Sequence, residues 1–568
     1  MHYTVSTDHP ELHYFQVKCN FISASQNTSL VLPNWTPGSY TIRDYSSHIH
    51  QFRASSQGKK LAVKQENLHT WQIICNEGTQ VEIEYIVYAF ENTVRTNFLD
   101  SEYAFINPPG FFMYRDGLLQ ERVSVTFSKK EFAYTYTSLP KEKQSNQFVA
   151  KNFDTLYDSP FHLSNRKSIL FQSQKCKHEV LLEGEVPPKI QKQLIQDLKK
   201  ITDYEAKMMQ GNPNKYYLFL LNLTENAYGG LEHLSSSVNA FSPFQLHKKE
   251  KYKQLLALLT HEYFHLWNIK RIRPVELGPF DYTKANLTKN LWIAEGITSF
   301  FDNFIMMKTG LFSGEEYLKE LYSDIERVEA SPGQTWMSLE ESSLTAWNKF
   351  YKVQPNSHNT GVSYYAKGAI FTICIDIRIR QATDSQKTFV DILLALYQKF
   401  YIEQDRGFSI DEFWQCAEDS IGIALRKEFS PFLKQKKSIP IMNYLKWIGV
   451  NREKVEEKLD LGFTVHESTG QLKVQKVFAH KNAGKAGINV GDEILALENH
   501  RVFKNNFTEI VDLVSEYKPK FVNLLITRKG RIQELQLQVA TKTKWKLVKQ
   551  DSNDPVIGKL QEKFFAVG

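Results

Sequence analysis

Two histidines four residues apart, His261 and His265, bracket Glu262 at the end of a stretch with helical apolar spacing. Tyr252, Leu255, Leu256 and Leu259 form an apolar stripe that both histidines continue, which predicts a helix over about 249–269. Four residues advance a helix by about 400°, so the imidazoles share one face, one turn apart. Unpartnered His, Glu and His on such a face are expensive to bury. A shared zinc ion, bound at about 2.0–2.1 Å, removes the penalty. Glu262, offset by about 100°, faces the metal's water rather than the metal.

A catalytic zinc needs a third protein ligand and an open position. Glu295, in Trp292-Ile293-Ala294-Glu295-Gly296, is the candidate, on a second predicted helix over about 287–307. Asp302 follows two turns later on nearly the same face and is the expected acceptor for a ligating histidine, fixing its tautomer. The competing reading is a buried helix that merely ends in polar residues. The second helix with its W-x-x-E-G pattern speaks against it.

At 568 residues the chain is too long for one core. Period-two alternation, as in Val81 to Tyr88 and Val123 to Phe127, fills residues 1–168 and predicts an all-β, sandwich-like domain. Trp35-Thr36-Pro37-Gly38-Ser39-Tyr40 reads as a rigid turn. Two strands precede a mainly helical stretch over 169–450, which makes the chain multidomain α+β. Short strands return over 451–543, and the tail 544–568 gives no clear pattern. A net charge of +7, from 70 basic and 63 acidic residues, is too weak to argue for nucleic acid. No apolar run is long enough to predict a membrane span. Five scattered cysteines and an N-terminus without an apolar leader predict reduced thiols and a cytoplasmic location.

The run from His261 to Pro274, with Leu32 to Asp44 in the first domain, resembles the signatures of the glycyl aminopeptidase family, gluzincin peptidases with a C-terminal PDZ domain. The resemblance extends over essentially the whole chain. It implies a thermolysin-like catalytic domain, one zinc ion, and release of N-terminal glycine or alanine from peptides. Gly229-Gly230-Leu231-Glu232-His233 is similar to the G-x-M-E-N strand of the broader zinc aminopeptidases, with His233 in place of asparagine. That similarity gives Glu232 the substrate's α-ammonium, while Gly229 and Gly230 admit substrate backbone. Tyr364-Tyr365-Ala366-Lys367-Gly368 is similar to Y-x-K-G, which selects Tyr365 as oxyanion donor, with Tyr364 competing and Lys367 structural.

The expected mechanism has Glu262 as general base toward a zinc-activated water and Tyr365 at the oxyanion. Tyr228, Phe300 and Trp292 are candidates to fill the pocket for the first side chain. Leu461-Gly462-Phe463, Ala483 to Ile488 and Gly491 to Leu497 are similar to PDZ segments, with Phe507 to Glu516 as the groove helix. A peptide C-terminus in that groove and a packing brace both remain open. Two other functions stay in view: a zinc endopeptidase or broad aminopeptidase, and a non-catalytic peptide-binding scaffold.

Overall fold

The computed structural model describes residues 1–128, 131–142 and 147–568. The chain is multidomain α+β, with a large N-terminal β domain followed by a helical part. The N-terminal domain holds a ten-stranded sheet and a four-stranded sheet, and its last strand is Phe161–Ser164. Alternation explains how the smaller sheet acts as a middle layer. Along Tyr103–Ile106, Ala104 and Ile106 point into the core shared with the ten-stranded sheet. Tyr103 and Phe105 point the other way, onto Leu181, Leu218, Leu231 and Val238 of the next domain. Period two thus serves two cores at once.

That next domain opens with a five-stranded mixed sheet in the order Ile169–Ser173, Cys176–Glu183, Tyr216–Leu223, Ser236–Phe241, Tyr228–Glu232. The two interior pairs are parallel, and the strands Ile169–Ser173 and Tyr228–Glu232 run antiparallel at the two edges. The sheet's other face, with Tyr217, Phe219 and Leu221, carries the helices of the main core.

The helices differ from the sequence expectation at two places. The first ends at Phe264, not near residue 269, because the chain turns through Asn268 and a left-handed Ile269. The second is not continuous over 287–307. It starts as a π turn, Trp292–Gly296, and becomes α-helical over Ile297–Lys308.

The strands Val450–Asp460 and Ala540–Lys549 pair as a two-stranded ribbon that straddles both expected limits of the C-terminal module, at 450/451 and 543/544. Within it lies a separate sheet with its own core around Val474, Leu497 and Ile526. The tail is ordered as well. Its helix Pro555–Phe565 buries Leu560 and Phe564 in the main core.

One polar joint ties the first domain to the second. Asp158 accepts from Lys270 Nζ at 2.8 Å and from the Leu234 N–H at 2.7 Å, with His233 Nδ1 at 3.2 Å. Burial works against its charge, but Lys270 and His233 outweigh it and hold the carboxyl at about 2. That lies below the unfolded value of about 3.9, so the stabilisation is complete above that pH and is lost as pH falls toward 2. Asp158→Asn is expected to lower the unfolding free energy by about 2 kcal/mol at pH 7. It should also flatten the acid-dependent loss between about pH 4 and 2. Denaturant titrations across that range check both, and wild-type stability in the variant would refute the joint.

Candidate active site

His261 and Glu262 occupy the last turn of the helix Lys249–Phe264, and His265 caps it. Both histidines are held through Nδ1. His261 Nδ1 meets Asp302 Oδ2 at 2.9 Å, and His265 Nδ1 meets the Asn268 carbonyl at 3.0 Å. The early end of the helix is what brings that carbonyl within reach. Asn268 is fixed in turn, its side-chain amide donating to the Ile293 and Ala294 carbonyls at 2.8 and 3.1 Å.

With Nδ1 engaged on each ring, both Nε2 atoms turn toward Glu295. They lie 3.3 and 3.4 Å from the same oxygen, Oε2. The structure therefore brings His261, His265 and Glu295 together, their donor atoms all within 4.8 Å of one another. The π turn shifts the backbone where Glu295 enters, a local device common at functional sites. Behind it, the helix Tyr364–Ala382 crosses so closely that a Cβ on Gly296 would lie 2.5 Å from the Gly368 Cα.

The electrostatics suit a cation. Burial pushes Glu295 up, but hydrogen bonds from His261 and His265 more than reverse this and hold it at about 2. Burial disfavours charge on His261, yet Asp302 and Glu295 raise it well above its usual value. Glu262 behaves oppositely, with burial pushing it up to about 7 against the pull of the two histidines. Its Oε2 is buried without a hydrogen-bond partner among the described residues. Glu232, Glu262 and His265 form a second close donor group, but with one imidazole and two carboxylates it suits zinc less well.

The cluster lies in a cleft of about 760 Å³ whose wall includes Gly229, Gly230 and Glu232 of the edge strand and Tyr365. Gly230 has no room for a side chain, since a Cβ there would stand 2.0 Å from Glu262 Oε1. Tyr365 faces the cleft, its ring 6.4 Å from that of His261. Tyr364 is fully buried and donates to Tyr351, which also bonds the Tyr365 hydroxyl at 3.0 Å. Lys367 is buried, its Nζ unpartnered among the described residues, and burial lowers it to about 8. Of the three candidates to fill the first side-chain pocket, Tyr228 lines the cleft. Phe300 and Trp292 do not; both are packed in the main core, where an apolar ring on a buried helix face belongs.

Several contributors were not singled out from sequence. Gly38 and Arg95, both from the N-terminal domain, line the cleft, and Arg95 Nη2 donates to the Gly230 carbonyl at 3.1 Å. Gly38 carries a signal, a glycine inside a Trp-Thr-Pro-Gly turn; Arg95 carries none. Glu205 lies near His261 and Asp302 with both oxygens unpartnered among the described residues, and burial, then Asp302, keeps it well above the usual carboxyl range.

Comparison with known proteins follows the same outline. The model described as Peptidase M61 N-terminal domain matches residues 2–165, and that described as M61 glycyl aminopeptidase matches residues 254–371. A comparison with curated proteins finds no match. Among solved structures, an aminopeptidase N family protein from Idiomarina loihiensis is 28% identical, with a TM-score of 0.92 over 98% of this chain and 99% of that one. An M1 zinc metallopeptidase from Deinococcus radiodurans is 11% identical, with a TM-score of 0.47 over 78% of this chain and 95% of that one. With one M61 model on the N-terminal domain and the other spanning the paired histidines, Glu295 and Tyr365, the chain belongs to the M61 glycyl aminopeptidase family.

Proposed function

We propose that the protein is a zinc-dependent aminopeptidase that removes small first residues, glycine or alanine, from peptides with a free N-terminus. The observation that carries this reading is the convergence of two Nδ1-anchored imidazoles on one oxygen of Glu295. In this reading His261, His265 and Glu295 hold one zinc ion, and Asp302 orients His261. Zinc bound there supplies Lewis acidity and an acidified water.

The chain's own groups do the rest. Glu262, buried and with one oxygen unpartnered, takes the proton from the attacking water and returns it to the leaving amine. Tyr365 donates to the oxyanion, and the hydroxyl of Tyr351 fixes its direction. Glu232 pairs with the substrate ammonium, and the close approach of Gly230 to Glu262 sets the scissile carbonyl over the base. The free-amine requirement that Glu232 imposes favours an aminopeptidase over an endopeptidase.

Residues 451–543 are read as a PDZ domain that braces the catalytic part. Its edge strand Phe463–Ser468 and helix Phe507–Glu516 suit a peptide groove, but the Gly462 N–H already donates to Asp460 Oδ1 at 2.9 Å. A peptide carboxylate would have to displace that bond. Five unpaired, buried cysteines support a reducing, cytoplasmic location. Among the described residues no helix is long and apolar enough to cross a membrane.

Two outcomes test the reading. Glu262→Gln should keep zinc, measured by metal analysis, while turnover of glycine nitroanilide falls by a factor of 100 or more, on the order expected for a lost general base. Undiminished turnover would refute the role. Asp302→Asn should weaken zinc binding about 10–100-fold in a chelator competition, because His261 loses its orienting acceptor. Unchanged affinity would place Asp302 outside the metal's support.

A further inference from the structure

The sequence marks Trp35 to Tyr40 only as a turn, yet the structure drives this loop into the cleft. Its base is clamped to the catalytic part. The Asn34 N–H donates to the Tyr282 carbonyl at 2.9 Å, Asn34 Nδ2 to the Thr283 carbonyl at 3.0 Å, and Trp35 Nε1 to the Asp281 carbonyl at 3.0 Å. The Trp35 ring is fully buried against Phe280, Tyr282 and Trp347. The tip is a tight turn, with the Ser39 N–H on the Thr36 carbonyl at 3.1 Å and Gly38 at φ +84°.

That tip rests on Glu232. A Cβ on Gly38 would stand 2.5 and 2.7 Å from the two carboxylate oxygens of Glu232 and 2.7 Å from Leu231 Cδ1. Past Glu232 the strand leaves the cleft, because His233 is buried and both it and Leu234 are tied to Asp158. Gly38 and Glu232 both line the cleft; His233 and Leu234 do not. The blind end is therefore built by two domains, with the catalytic one supplying the anion and the N-terminal one supplying backbone across it.

We propose that Gly38 is a specificity-determining residue: its backbone closes the cleft over Glu232, leaving room for an unsubstituted ammonium and nothing longer. The inference rests on the reading of Glu232 as the amine site. It goes further in placing the one-residue limit in the N-terminal domain. Glycine is needed at 38 for two separate reasons, the left-handed backbone and the absence of space for a side chain.

Glycine, N-methylglycine and N,N-dimethylglycine nitroanilides carry the same positive charge and each keeps at least one N–H for Glu232, while every methyl adds bulk at the amine in place of one N–H. With the zinc-loaded full-length protein, KM is expected to rise about tenfold or more per methyl group while kcat changes less. Equal KM across the series would overturn the wall. No hydrolysis of the glycine compound would instead overturn the aminopeptidase reading, and this inference with it. Gly38→Ala, and Gly38→Asn in which asparagine tolerates the left-handed backbone, should each raise KM for the glycine substrate at least tenfold with zinc content unchanged. A wild-type KM in Gly38→Asn would overturn the assignment to Gly38. Should neither variant fold, the methyl series on the unaltered protein decides.

Discussion

Everything in the catalytic half is arranged around placing two imidazoles and a carboxylate in a nearly dry interior. His265 and Glu295 are 1% and 3% exposed, so each would be strongly unfavourable without its neighbours. The compensation is geometric. Asp302 and the Asn268 carbonyl take the outer nitrogens, so the inner ones have a single direction left to face. Asn268 binds the π turn that carries Glu295, and Gly296 meets Gly368 where any side chain would force the helices apart. Glu262 departs from the paired ligand set of His261, His265 and Glu295, a carboxyl left with an unpartnered oxygen among the described residues, as the more remote Glu205 also is. A site optimised for stability alone would not leave it so.

The N-terminal domain is part of this machine rather than an appendage. Its four-stranded sheet shares an apolar core with the catalytic sheet, which fixes the relative position of the two. The joint at Asp158 then locks the end of the edge strand, and Arg95 holds its middle through the Gly230 carbonyl. Register along that strand decides where Gly230 and Glu232 lie relative to Glu262. Polar contacts are suited to this task, because they specify direction where apolar burial specifies only proximity.

Much of this was legible in the residues. The spacing of His261 and His265 forces one helix face, and seven residues from Glu295 to Asp302 let both reach one imidazole from opposite sides. Alternation in Val81 to Tyr88 becomes a strand over Gln80–Tyr88 with every second side chain buried. What was not legible depends on partners distant in the chain. Nothing local distinguishes a π turn at Trp292 from a helix, and the helix that crosses it at Gly368 lies more than 70 positions further along the chain. The helix break after Phe264 is set by Asn268 bonding to residues 25 and 26 positions away. Phe300 and Trp292 have the bulk to fill a pocket, but bulk does not say which cavity a ring enters. The charged tail conceals Leu560 and Phe564, two apolar positions too few to read as an anchor until their receiving core is known.

The C-terminal module is attached in two chemically different ways. At its root, the ribbon and the last helix bury Leu547, Leu560 and Phe564 in the main core, an apolar attachment that favours permanence. At its tip, His358 Nε2 and Asn359 Nδ2 each lie 2.9 Å from the Val477 carbonyl, while the Ala479 N–H donates to Asn359 Oδ1 at 3.0 Å. The Phe478 N–H, between these two positions, donates to the Gly462 carbonyl at 3.0 Å. The loop that follows the module's strand Gln471–Val477 is thereby bonded to the segment that connects Tyr351 with Tyr365. Those two tyrosines share a hydroxyl contact at the cleft. A module held this way is tied to the segment that leads to Tyr365 in the wall of the cleft, and its reading as a brace rests on that contact.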